Sequence, residues 1–292
     1  KEPPNNTPAD ECGSDAGFAA AVAAAQGADQ VVLALGESRG QSGEAAARSE
    51  IDLPGLQEQL IAQIKATGKP FVVVLLNGRP LTLEGVEGPS PAILEAWFPG
   101  VQAGNAVADV LFGKVNPGGK LPVSFPQNIG QLPLYYNHKS TGRPYAGTDK
   151  LDKYKSRYLD VSNEPLYPFG FGLSYTTFDV SNLRLSTTNV RKDGKVTASI
   201  DVANTGTREG DEVVQLYIND PVASISQPVR RLRGFERVTL APGATTTVTF
   251  TLDQSDFGFF DNKGKFVVEQ GAIDVYAGNS STGDLKATFT VK

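Results

Sequence analysis

The densest group of side chains able to do chemistry lies on one polar stretch, Glu37–Asp52, which carries the carboxylates Glu37, Glu44, Glu50 and Asp52. Carboxyl groups can hand protons to and from a substrate, and retaining glycoside hydrolysis needs two of them about 5–5.5 Å apart. One loop can supply one of that pair; the plainer alternative is that charged loop residues are simply solvated. The stretch opens with Gly36-Glu37-Ser38-Arg39-Gly40, the G-x-S-x-G pattern of a nucleophile elbow, and His138 follows in the chain order of α/β-hydrolases. Only one strand precedes Ser38, however, and the residues after it are polar rather than helical, so Ser38 reads as a loop serine. A second group, Tyr135, Tyr136, His138, Arg143 and Tyr145, offers rings and a guanidinium that could hold a sugar or equally pack domains together. Asn77-Gly78-Arg79-Pro80 reads as a turn in which Arg79 can position a neighbour, and Trp97 reads as packing.

Alternating elements must place these residues. Ala19–Ala28 reads as a helix, Val31–Leu35 as a buried strand, Leu56–Lys65 as a helix and Phe71–Leu76 as a strand. Ala92–Phe98 and Lys120–Phe125 read as further strands around a helix at Gly104–Phe112. Such alternation implies βαβ units and a mainly parallel sheet whose carboxyl edge carries the loops Gly36–Asp52, Asn77–Pro80 and Pro99–Gly104. Pro126–Gly172 is irregular and rich in Pro, Gly and Tyr, which suits a functional segment or a linker. From about Leu173 the period changes to two. The expected strands are Thr177–Leu185, Lys195–Asn204, Glu212–Asn219, Gly234–Leu240, Thr245–Leu252, Lys265–Val268, Ala272–Gly278 and Ala287–Val291. With no helices between them they describe an antiparallel, immunoglobulin-like sandwich.

Composition narrows the function classes. The 292 residues allow about two domains, and 40% hydrophobic content is enough for a sizeable core. No apolar run approaches the ~20 residues of a membrane span. A net charge of −5 without a Lys/Arg run argues against nucleic acid. One cysteine, Cys12, and one histidine, His138, exclude an internal disulfide and multi-Cys or multi-His metal sites. Methionine is absent and the chain opens Lys1-Glu2-Pro3-Pro4 in an irregular lead-in to Asp15, so the N-terminus is expected to derive from a longer chain.

Ordered motifs run from Trp97 to Phe178. They are Trp97-Phe98-Pro99-Gly100, Gly104-Asn105-Ala106-Val107-Ala108-Asp109-Val110-Leu111-Phe112-Gly113, Asn116-Pro117-Gly118-Gly119-Lys120-Leu121-Pro122-Val123-Ser124-Phe125-Pro126 and Leu166-Tyr167-Pro168-Phe169-Gly170-Phe171-Gly172-Leu173-Ser174-Tyr175-Thr176-Thr177-Phe178. In these the chain resembles glycoside hydrolase family 3. Tyr135-Tyr136-Asn137-His138 with Thr141-Gly142-Arg143-Pro144-Tyr145 is similar to its bacterial periplasmic-type β-glucosidases.

The resemblance implies an enzyme of three domains: a (β/α)8-type barrel with an aspartate nucleophile, an α/β sandwich and a fibronectin type III-like domain. Only the last two are matched, as 1–125 and 173–292, with 126–172 a linker bearing site-lining loops. The implied fold is therefore an α/β sandwich with a mainly parallel sheet followed by an all-β sandwich. Ser42-Gly43-Glu44-Ala45-Ala46-Ala47-Arg48 corresponds to the family's Ser-Gly-Glu-Gly-x-x-Arg-like loop, with Ala45 where Gly is usual. This makes Glu44 the implied acid/base, Arg48 a loop-ordering partner, and His138, Arg143 and Tyr145 substrate contacts. The implied activity is retaining hydrolysis of terminal β-D-glucosyl residues, periplasmic or secreted, with no metal or cofactor, and with little activity in this chain alone. Expected partners are the barrel of the same enzyme and an oligosaccharide or aryl β-glucoside, a homodimer being allowed, and neither nucleic acid nor membrane. The alternatives are a serine esterase using Ser38 and a non-catalytic carbohydrate-binding or adhesion module.

Overall fold

The computed structural model describes residues 14–86, 92–145 and 153–292; Cys12 and most of the lead-in lie outside them. The chain divides into two compact units, residues 1–111 with 125–132, and residues 112–124 with 133–292.

The first unit is built on a parallel sheet. Helix α1 (Phe18–Gly27) leads into β1 (Val31–Gly36), α2 (Gln57–Ala66) into β2 (Phe71–Leu76), and β3 (Ile93–Glu95) precedes α3 (Ala103–Leu111). The sheet order is β1-β2-β3, with Val31 opposite Phe71 and Val73 opposite Ile93. The central strand β2 is the most apolar, as a parallel strand covered on both faces must be: Val73, Val74 and Leu75 are all but inaccessible. Helix α2 turns Ile61 and Ile64 inward. β3 is shorter than the expected Ala92–Phe98. Ala96 N–H still reaches Leu75 O, but Trp97 takes φ +51, which ends the extended run.

Lys120–Phe125 does not form the expected strand. Leu121 exchanges backbone hydrogen bonds with Gly170 and Phe171 (both 2.8 Å), and the next residue, Pro122, has no N–H to continue the ladder.

The second unit is a two-sheet sandwich. Its strands are β4 (Phe178–Leu185), β5 (Asn189–Val190), β6 (Val196–Asn204), β7 (Gly210–Asn219), β8 (Arg231–Leu240) and β9 (Thr245–Leu252). The one-turn helix α4 (Gln254–Phe257), the hairpin β10 (Phe259–Phe260) and β11 (Phe266–Val267), then β12 (Gly271–Gly278) and β13 (Leu285–Val291) complete it. One sheet runs β5-β13-β12-β7-β8 and the other β4-β6-β9. On β6, Val196, Ala198, Ile200 and Val202 alternate into the core with strict period two. They meet Val214, Leu216 and Ile218 of β7 and Ile273, Val275 and Ala277 of β12.

β7 is buried on its other face as well. There Tyr217 packs edge-on to Tyr136, and Gln215 Nε2 donates to the carbonyls of Gly170 (3.1 Å) and Asn279 (2.9 Å). Lys120 Nζ meets Glu212 Oε1 at 2.7 Å and Gly172 O at 2.8 Å. The irregular stretch thus has a sheet face to fold upon.

Asn204, at the end of β6, is 1% exposed. Its Oδ1 accepts Thr176 Oγ1–H (2.7 Å) and Gly206 N–H (3.0 Å), and its Nδ2 donates to Arg208 O (2.7 Å) and Leu240 O (2.8 Å). Asn204→Ala strands these buried partners and is expected to cost about 3 kcal/mol in urea unfolding. An unchanged midpoint would contradict that assignment.

Candidate functional site

The carboxyl edge of the parallel sheet is organised around Glu37, the residue after β1. Its side chain is fully inaccessible. Arg48 Nη1 lies 3.1 Å and Arg79 Nε 2.8 Å from Oε1, and Gly78 N–H donates to Oε2 at 3.0 Å. The two guanidinium groups then reach outward. Arg48 Nη2 donates to Asp52 O (3.1 Å) and Oδ1 (3.2 Å). Arg79 Nη2 donates to Ala46 O (2.9 Å) and to Gln41 O. The loop is therefore pinned at Gln41, Ala46 and Asp52 by charges that radiate from one buried carboxylate.

Backbone geometry tightens this seat. Gln57 at the start of α2 accepts Gly36 N–H and donates to Gly36 O, both at 2.8 Å. Gly36 has φ +142, and a Cβ there would collide with Leu76 O. A Cβ on Gly78 would overlap Ser42 and meet the Phe98 ring. Gly36 requires glycine because the end of β2 approaches its backbone too closely for any side chain, and Gly78 because the Ser42 and Phe98 side chains occupy the space.

Glu44 is exposed, between Gly43 (φ +105) and Ala45 (φ +59). Ala45 holds the left-handed conformation that glycine adopts freely, at a cost of about 1 kcal/mol or more. Glu50 is also exposed, whereas Glu37 and Asp52 are engaged with arginine. Ser38 opens a three-residue 3-10 turn, its N–H held by Gln41 Oε1 at 2.8 Å. A nucleophile elbow leads from a strand into an α-helix, so the esterase geometry is not formed.

Asn77, read in the sequence only as part of a turn, and Glu95, not singled out there, complete this edge. Asn77 is fully buried and donates to Arg79 O (2.8 Å). Glu95 ends β3, and its Oε1 accepts Trp97 N–H at 3.0 Å. Burial pushes the Glu95 carboxyl up to about 7, against the opposing pull of hydrogen bonds from the Trp97 amide and Asn77. The only available signal was a lone Glu closing an apolar strand.

In the second unit, Tyr135, His138 and Tyr145 line a cavity of about 440 Å³ together with Tyr136 and Arg230. Arg157 lies 5.5 Å from the Tyr145 ring centroid. Tyr136 stacks on Phe169 at 4.4 Å, so its ring is committed to packing. Arg230 sits 3.6 Å from the centre of the Tyr276 ring, and burial lowers its proton affinity. His138 Nδ1 is 3.2 Å from Lys139 O. Arg143 is exposed outside the cavity lining, its carbonyl accepting Ser156 N–H at 2.8 Å.

A parallel-sheet unit with an arginine-braced loop at its carboxyl edge is thus followed along the chain by a two-sheet sandwich. Residues 4–175 match the Glycosyl hydrolase family 3 C-terminal domain, and residues 212–281 match the Fibronectin type III-like domain. The chain belongs to glycoside hydrolase family 3. It is 52% identical over 269 residues to the periplasmic beta-glucosidase of Salmonella typhimurium, covering 92% of this chain and 35% of that protein. It is 44% identical over 281 residues to a beta-xylosidase of Formosa agariphila, covering 96% and 38%. The crystal structure of the Listeria innocua beta-glucosidase in complex with glucose superposes with a TM-score of 0.92 at 42% identity, over 95% of this chain and 38% of that one. The chain thus spans little more than a third of the length of these relatives. No described helix is long and apolar enough to cross a membrane.

Two predictions follow from the charges. Glu37→Gln leaves two guanidinium groups without their buried counter-charge and is expected to cost about 3–5 kcal/mol in urea unfolding. A loss below about 1 kcal/mol would mean the network is solvated. Glu95 has the opposite pH behaviour from a salt-bridged carboxylate. Its folded-state proton affinity is raised from 4.5 to about 7, so the native chain binds more protons between those values. Its stabilising contribution is therefore full below about pH 4.5 and lost as pH rises to 7, by at most ~3 kcal/mol. Unfolding at pH 5 and pH 8 should show this decline, and Glu95→Gln should flatten it.

Proposed function

We propose that this chain supplies the acid/base side of a retaining β-glucosidase, with Glu44 as the proton shuttle. The observation that carries the reading is the contrast within one loop. Glu37 is sealed by two arginines, while Glu44 stands exposed on the seat they build. The Ser42–Arg48 motif selects Glu44 over Glu50. In this reading an aspartate of a barrel domain attacks the anomeric carbon of a terminal β-D-glucosyl unit while Glu44 protonates the departing glycosidic oxygen. Glu44 then takes a proton from the water that breaks the covalent glycosyl intermediate. Arg48 orders the loop. In the second unit, His138 and Tyr145 are the proposed substrate contacts within their own cavity, with Arg143 outside its lining. The name of the Salmonella typhimurium relative supports a periplasmic setting.

In the complete enzyme, Glu44→Gln should lower kcat/KM on poor leaving groups by about 10²–10⁴. Azide should restore turnover of activated aryl β-glucosides, because it needs no general base. Unchanged kinetics would remove Glu44 from the mechanism. The 292-residue chain by itself should be inert towards the same substrates, since the reaction needs a second carboxylate.

A further inference from the structure

Glu95 forms no ion pair among the described residues, yet both of its hydrogen bonds lead towards the loop that carries Glu44. Through Oε1 it holds the N–H of Trp97, whose left-handed backbone (φ +51) carries Phe98 against Gly78. Gly78 in turn seats Ser42, two residues before Glu44. Through Oε2 it meets Asn77 Nδ2 at 3.4 Å. That same Nδ2 donates to the carbonyl of Arg79, the side chain that ties Glu37 to Gln41 and Ala46.

We propose that Glu95 is a positioning residue for the reaction at Glu44: its ionised carboxylate holds the Trp97 turn and the Asn77 amide, and through them seats Ser42–Glu44. The catalytic consequence rests on the function proposed above; the mechanical one does not. A carboxylate accepts both N–H groups, whereas a carboxylic acid turns one acceptor into a donor. Asn77 Oδ1 is buried and has no hydrogen-bond partner among the described residues. It is therefore the acceptor such a proton would seek, and rotating the amide to present it takes Nδ2 away from Arg79 O. The neighbouring segments also carry the exposed Arg39, Glu44 and Glu50, none of them in an ion pair with Glu95; their remaining charged groups are Glu37, Arg48 and Asp52 after β1, and Arg79 after β2. They are paired with one another and leave Glu95 without a fixed counter-charge. Burial, which holds the Glu95 proton up to about pH 7, puts the change within reach of ordinary conditions.

Trp97 is the only tryptophan, so emission excited selectively at the indole, beyond the absorption of the tyrosines, reports on this turn. Emission should titrate with a midpoint near pH 7. The midpoint should persist in His138→Gln, which removes the only imidazole, and vanish in Glu95→Gln. Should Glu95→Gln fail to fold, ¹³C titration of the glutamate carboxyls in the unsubstituted chain must show one group with that midpoint, moving together with the Trp97 indole resonance. In the complete enzyme, Glu95→Gln should lower kcat about tenfold at pH 8 with KM nearly unchanged, and much less at pH 5, where Glu95 is already neutral. Flat emission, a midpoint that survives Glu95→Gln, or one that disappears in His138→Gln overturns the positioning role whatever the substrate. A normal titration with unchanged kcat at pH 8 overturns the link to Glu44. Failure of the proposed function itself would look different: Glu44→Gln would be kinetically silent while Trp97 still titrated.

Discussion

A carboxylate taken wholly out of water must be matched by opposite charge and hydrogen-bond donors, and that constraint at Glu37 shapes the edge of the parallel sheet. Two guanidinium groups and one backbone N–H converge on it. The residues 37–52 contain no regular element beyond a single 3-10 turn, so their backbone carbonyls have no ladder to join. The outward nitrogens of Arg48 and Arg79 take three of them, at Asp52, Gln41 and Ala46. Lysine could not replace either residue, because the work depends on a planar group with several fixed donors facing in different directions.

The charge network acts only because the backbones come close. Gly36 closes β1 directly against the end of β2, and Gly78, two residues past β2, leaves room for the side chains of Ser42 and Phe98. Gln57 clamps the peptide of Gly36 from the helix side, coupling the packing of α2 to the place where the loop departs. Displacing α2 would carry Gly36 and therefore Glu37 with it. The apolar contacts of Ile61 and Ile64 thus bear on the loop although neither residue touches it.

Much of this architecture was legible in the residue pattern. The apolar runs Val31–Leu35 and Phe71–Leu76 appear as adjacent parallel strands, and the period-two region appears as a sandwich. Both follow from local pattern alone. Lys120–Phe125 misled because an apolar run with one proline resembles an edge strand, while its actual partners, Gly170 and Phe171, are distant in sequence. Ala92–Phe98 was overextended because a left-handed Trp97 has no signature in composition. Within the loop, four carboxylates are indistinguishable by type. What separates Glu37 from Glu44 is which one meets Arg79, a residue on another loop, and that depends on the register of β1 against β2.

Proton transfer and loop anchoring make incompatible demands on a carboxyl group. An anchor is held by several fixed partners, as Glu37 is by Arg48, Arg79 and the Gly78 N–H. A shuttle must accept and release a proton within a single turnover, so it must be free of strong fixed counter-charges and open to substrate. If Glu44 is the shuttle proposed above, the two demands fall on one loop, seven residues apart, with the anchored carboxylate pinning the segment that carries the exposed one. Glu44 is exposed and flanked by two positive-φ residues, Gly43 and Ala45. Two identical functional groups on one loop thus stand in opposite environments, one buried between arginines and one exposed.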